Sequence, residues 1–62
     1  MEEALKLFKG KLSRIYTISG VESYLGTIID VKKDYFVFQE RYSKKEVYVA
    51  TQYVEAIEQV RE

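Results

Sequence analysis

No cysteine, histidine, proline, tryptophan or asparagine occurs in these 62 residues, and the absences close off several kinds of chemistry. Without cysteine there are no disulfides and no thiolate ligands, and without histidine the Cys/His zinc patterns are excluded as well. The commonest general base and the commonest thiolate nucleophile are missing together. Ser13, Ser19, Ser23 and Ser43 stand in no context that resembles a nucleophile elbow, and turn chemistry accounts for Asp30 and Asp34. An active site also needs a pocket, which a domain this small fills with its own side chains. The expectation is a non-enzyme with no catalytic residue, no metal and no cofactor.

Net charge is absent too, since 10 basic residues balance 10 acidic ones. Domains that grip nucleic acid are usually basic, so the balance argues against that task. Lys6, Lys9, Lys11 and Arg14 follow one another without an intervening acid and read as a solvated helix and strand face. No apolar run approaches the ~18 residues of a membrane span, and no signal peptide is visible. The expected setting is cytoplasmic, with no membrane partner.

What remains is a short chain with a great deal of apolar and aromatic surface. A domain of this length buries only about 60% of the surface its unfolded form exposes and usually needs a staple or a partner. Disulfides and metals are unavailable, so a dense core and self-association are the sources of stability left. No repeat, linker or low-complexity stretch divides the chain, and residues 1–62 are expected to form one domain.

Residues 1–10, "MEEALKLFKG", read as a short helix. Glu2 and Glu3 suit the positive end of the dipole and Lys6 and Lys9 the negative end. Ala4, Leu5 and Phe8 share a face, and Gly10 supplies a left-handed stop. From residue 11 the signal changes to strands. "KLSRIYTIS" is rich in β-branched and aromatic residues and ends at the turn signal Ser19-Gly20. In "VESYLGTIIDV" the residues Val21, Leu25, Ile29 and Val31 share one phase and Ile28 the other. Gly26 sits inside this run, where a glycine often marks a bulge or bend. "DYFVFQERY" carries bulk on both faces, so its outer face is not expected to be fully solvated. Ser43-Lys44-Lys45 makes a hairpin turn, and "EVYVA" follows.

The tail "ATQYVEAIEQVRE" admits two readings. Ala50, Tyr53, Val54, Ile57 and Val60 follow helical spacing. The preferred alternative is one tight turn at Thr51-Gln52-Tyr53 and a last strand from Val54 to Val60, because a fifth strand would cover an open edge. The fold class is therefore mainly β: a short helix, then a five-stranded, strongly bent antiparallel small barrel over residues 11–62.

"GTIIDVKKDYFVF" and "EVYVATQYVEAI" resemble the Sm-like fold, the group that includes the Sm and LSm proteins and bacterial Hfq. They are most similar to short Sm-like proteins of spore-forming bacteria, and the resemblance covers nearly the whole chain. It implies a homo-oligomeric ring in which strand four of one subunit pairs with strand five of the next. Carried over, the seam would involve Val47, Tyr48, Val49, Val54 and Ile57. The family's RNA-contacting residues do not carry over. Lys32, Tyr35 and Phe36 stand where an Asp and a Met-Asn pair would be, and Ala50-Thr51 replaces Arg-Gly. The tail "VATQYV" is also similar to a turn of SH3 domains, but there is no tryptophan for the opposite wall of a peptide groove.

Two binding features follow from the residues themselves. Lys32, Lys33 and Tyr35 could offer single-stranded RNA a phosphate contact and a stacking face. Asp30 and Asp34 flank them and cancel the local potential, so a solvated corner is the favoured reading. Tyr16, Tyr24, Tyr35, Tyr42, Tyr48 and Tyr53 cannot all fit in so small a core. Tyrosine joins apolar area to a polar tip, and the choice lies between cross-strand pairing within one chain and a subunit interface.

Overall fold

Strand-forming residues between Leu12 and Gln59 pair into one antiparallel sheet behind a short helix. The computed structural model describes residues 1–20 and 23–61. Helix α1 covers Glu2–Leu7. The strands are β1 (Leu12–Thr17), β2 (Ser23–Val31), β3 (Tyr35–Glu40), β4 (Glu46–Ala50) and β5 (Val54–Gln59), with a 3₁₀ turn at Thr51–Tyr53. The mainly β class, the leading helix and the strand reading of the tail are all present. Val21, expected to open the second strand, lies outside the described residues.

Helix α1 is one and a half turns long and holds only by docking. Its face delivers a buried Leu5 and a half-buried Phe8 to the core, while Leu7 points to solvent. The helix ends earlier than Gly10, at Leu7 with Phe8 as its cap. Gly10, at φ 82°, turns the chain two residues later, and its N–H donates to the Ile28 carbonyl at 2.9 Å, tying this end to β2. The Glu2–Lys6 ion pair at 3.2 Å is exposed and contributes about 0.3–0.5 kcal/mol at most.

The strand order is β4-β3-β2-β1-β5, and the long strand β2 serves both halves. Its first part pairs with β1 and its second with β3. Gly26 lies where they overlap, opposite Ser13 on one side and Glu40 on the other. The change of side-chain phase comes later than the glycine. The β2–β3 register shifts between Ile28 and Asp30, so Ile29 is the extra residue of a bulge. Ile28 and Val31 consequently both reach the core although they are three apart. Gly26 has a different role: a Cβ there would lie deep inside the contact distance of the Gln39 carbonyl oxygen.

A second bulge explains the tail. The β1–β5 register passes from Tyr16↔Ala56 to Thr17↔Val54, leaving Glu55 over. Val54 and Ile57, three residues apart, then face the same core. Their helical spacing is the footprint of a bulged strand.

Leu5, Ile15, Ile28, Phe36, Phe38, Val49 and Val54 form one apolar cluster drawn from the helix and all five strands. Phe38 meets Tyr24 and Phe36 edge to face, with ring centroids 6.5 and 6.4 Å apart. That β4 and β5 share a core requires strong curvature. Flat, the two edge strands would stand about 19 Å apart, four spacings of about 4.8 Å. The three-residue turn joining them advances only about 6 Å. The sheet therefore curls around its core but does not close, because β4 and β5 remain its edges. Among the described residues no helix is long and apolar enough to cross a membrane.

Candidate interaction surface

Strand β4 is positioned by the hairpin that follows β3. The Glu40 carboxylate accepts the Ser43 N–H at 2.9 Å, the Ser43 hydroxyl accepts the Lys45 N–H at 3.2 Å, and Lys44 takes a left-handed φ of 63°. Pairing then runs unbroken from Gln39↔Glu46 to Tyr35↔Ala50. Backbone bonds from Glu40 N–H to the Lys45 carbonyl and from Thr51 N–H to the Asp34 carbonyl, both 2.9 Å, fix the alternation. The odd-numbered residues of β4 bond to β3. The N–H and C=O groups of Glu46, Tyr48 and Ala50 point off the sheet.

The side chains of β4 divide between its two faces. Val49 is buried against the core, while Val47 is at its rim, 37% exposed. On the other face Tyr48 is 68% exposed and stacks on Tyr35, with ring centroids 5.8 Å apart and 25° between planes. Val37, directly opposite Tyr48, is only 9% exposed. The outer face of β3 is thus partly covered, as the bulk on both sides of "DYFVF" implied.

Along the inner side of β4 runs an apolar cleft of about 400 Å³. Val47, Val49 and Ala50 form one wall, and Tyr24, Tyr53 and the end of β1 at Thr17 form the other. Among the described residues no charged side chain lines it. Sequence reasoning did not find this cleft, because it arises where curvature brings the start of β2 and the 3₁₀ turn opposite β4.

The basic corner is arranged differently. Lys32 Nζ lies 3.1 Å from one Asp30 carboxylate oxygen, and Lys9 Nζ lies 3.7 Å from the other. The Asp30 carboxylate also accepts the Val31 N–H at 2.9 Å. The hydrogen bond from Lys32, then its charge, lowers the Asp30 pKa, and the same contact raises that of Lys32. Lys33 lines a shallow hollow with Asp34, Thr51 and Gln52. The structure brings Lys32 near Tyr35 and Tyr48. At this exposed corner the charge of Lys32 is paired with Asp30.

The other sites expected from the sequence fall into two groups. Val47 and Tyr48 are exposed on the β4 edge. Val49 and Val54 are buried, and Ile57 is half-buried against the core, so at β5 the backbone rather than these side chains faces outward. Of the six tyrosines, Tyr24 alone is half-buried and the rest are exposed.

These contacts make stability depend on pH. Hydrogen bonds from the Ser43 side chain and backbone lower the pKa of Glu40, as Lys32 does for Asp30. A lowered carboxyl pKa contributes stability above the unfolded value of about 4 and loses it as pH falls through the folded value. Melting temperature is expected to drop as pH falls below about 4, with a shallower drop in Asp30→Asn. Circular dichroism melts with identical acid limbs in both proteins would refute the assignment.

No protein-family model, no curated protein and no solved structure matches the chain.

Proposed function

We propose that this protein is a non-enzymatic structural or binding module that self-associates through the edges of its sheet. Its curled sheet is, in this reading, a small barrel of the Sm-like kind. The observation that carries the proposal is the state of β4: a regular strand with outward-pointing backbone groups, a half-exposed valine and an exposed tyrosine. Exposed edges of this sort pair readily unless something blunts them. The residue types support a non-enzymatic role, since histidine and cysteine are missing from the sequence. The cytoplasmic setting belongs to the same reading and rests on the cysteine-free composition.

Amide hydrogen exchange tests the proposal residue by residue. Raising the concentration from micromolar to millimolar is expected to slow exchange at Tyr48 and Ala50. Val47 and Val49, already bonded to β3, should not change. Rates at Tyr48 that ignore concentration would remove the proposal. Single-stranded RNA binding is the weaker reading. The Tyr35–Tyr48 stack beside Lys32 favours it, and the Asp30–Lys32 pair opposes it. It requires binding to oligo-U that weakens steeply with salt, and its absence at low salt would end it.

A further inference from the structure

The two edges of the sheet are unequal. On β5 the outward-pointing run is interrupted by the bulge at Glu55, and Glu55 and Glu58 are exposed beside it. Glu58 is already engaged, accepting the Tyr16 hydroxyl at 2.8 Å and lying 4.0 Å from Arg14. Bulges and charges are the features by which edge strands resist pairing. The β4 edge has no bulge across its five pairs, and Glu46 is its only charged residue.

From this asymmetry we propose that β4 pairs with β4 of a second copy, antiparallel about a two-fold axis at Tyr48, rather than with β5. The proposal rests on the self-association reading and specifies its geometry. The outward groups at Glu46, Tyr48 and Ala50 select the register. Pairing Tyr48 with its own copy sets Glu46 against Ala50 of the second copy and satisfies every outward group of β4. It also sets Val47 opposite Val49 of the second copy on the inner face, next to the apolar cleft. On the outer face the two Tyr48 rings meet, each stacked on its own Tyr35, so the stack extends across the axis. No like charges face each other: Glu46 meets an alanine and Lys45 meets Thr51. The valines and tyrosines that line the cleft suit the valines brought to it. An isologous contact of this kind closes on itself at two copies, whereas β4–β5 pairing is head-to-tail and builds larger rings.

Single cysteines in this cysteine-free chain test the geometry. Residues in a hydrogen-bonded antiparallel pair have Cα atoms about 5.5 Å apart, within the span of a disulfide. Tyr48 is exposed, so Tyr48→Cys leaves the core intact. Incubated with oxidised glutathione, Tyr48→Cys is expected to yield a covalent dimer and nothing larger. The same result is expected when it is mixed with Gln59→Cys, with the Tyr48–Tyr48 positions still joined. Mixed disulfides between positions 48 and 59 without the position-48 dimer would overturn the two-fold arrangement and leave self-association standing. No cross-link from Tyr48→Cys, with a native mass above one chain, would do the same. A native chain that stays monomeric at every concentration would overturn both.

Discussion

Gly26→Ala is expected to lower the melting temperature by roughly 12 °C or more, or to prevent folding. The cause is space rather than backbone conformation. A methyl group at this position would press on the Gln39 carbonyl oxygen and on the backbone of Glu40, atoms that belong to the β2–β3 ladder and cannot swing aside. Overpacking typically costs 1–3 kcal/mol, and a clash with backbone belongs at about 3 kcal/mol or above. The whole stability of a chain this size is on the order of 3–9 kcal/mol, and about 1 kcal/mol moves the midpoint of such a domain by about 4–8 °C. Gly20→Ala is the informative control. Gly20 has φ 71° with nothing close to it among the described residues, so alanine there is expected to meet mainly the left-handed penalty of about 1–2 kcal/mol. Thermal melts followed by circular dichroism compare the two. Equal losses would mean that β3 can retreat from Gly26 and that the close approach does not hold the two halves of the sheet together.

Phe38→Ala is expected to cost about 3–5 kcal/mol, the range for removing a large buried ring. Phe38 is fully buried and meets both Tyr24 and Phe36 edge to face. It lies on the concave side of β3, where β2 and β4 converge. Tyr42, 78% exposed at the hairpin, provides the contrast, since a surface change of this kind stays within about 0.5 kcal/mol. Urea denaturation of both variants measures the difference. A Phe38→Ala loss below about 1 kcal/mol would place the core somewhere other than inside the curl.

The strands and turns of this fold were legible because their signals are local. Ser19-Gly20, Ser43-Lys44-Lys45 and Thr51-Gln52-Tyr53 each punctuate the chain where the backbone turns, and the apolar runs between them form strands. Side-chain phase was less legible. A bulge costs one residue and leaves no mark of its own in composition, so Ile28 and Val31 stand in different phases and Val54 and Ile57 at helical spacing. The strand reading of the tail comes from the open edge rather than from periodicity. Gly26 drew attention correctly, although its role is to admit the backbone of β3, while the bulge falls at Ile29. The interaction surface was the least legible part. Tyr35 and Tyr48 are 13 positions apart and stack only because the β3–β4 register brings them together. The corner at Lys32 was more legible, since Asp30 and Asp34 beside it already argue for a cancelled potential. The sharing of Asp30 with Lys9 from the helix side was not visible in the sequence.

The central claim is that a strand left unpaired in one copy is paired in solution. Sedimentation velocity over a range from micromolar to millimolar tests it most directly. The expected result is a species heavier than the 7.3 kDa single chain that grows at the expense of it as concentration rises. A single boundary at the mass of one chain across the whole range would contradict the claim, and with it the proposed role of β4.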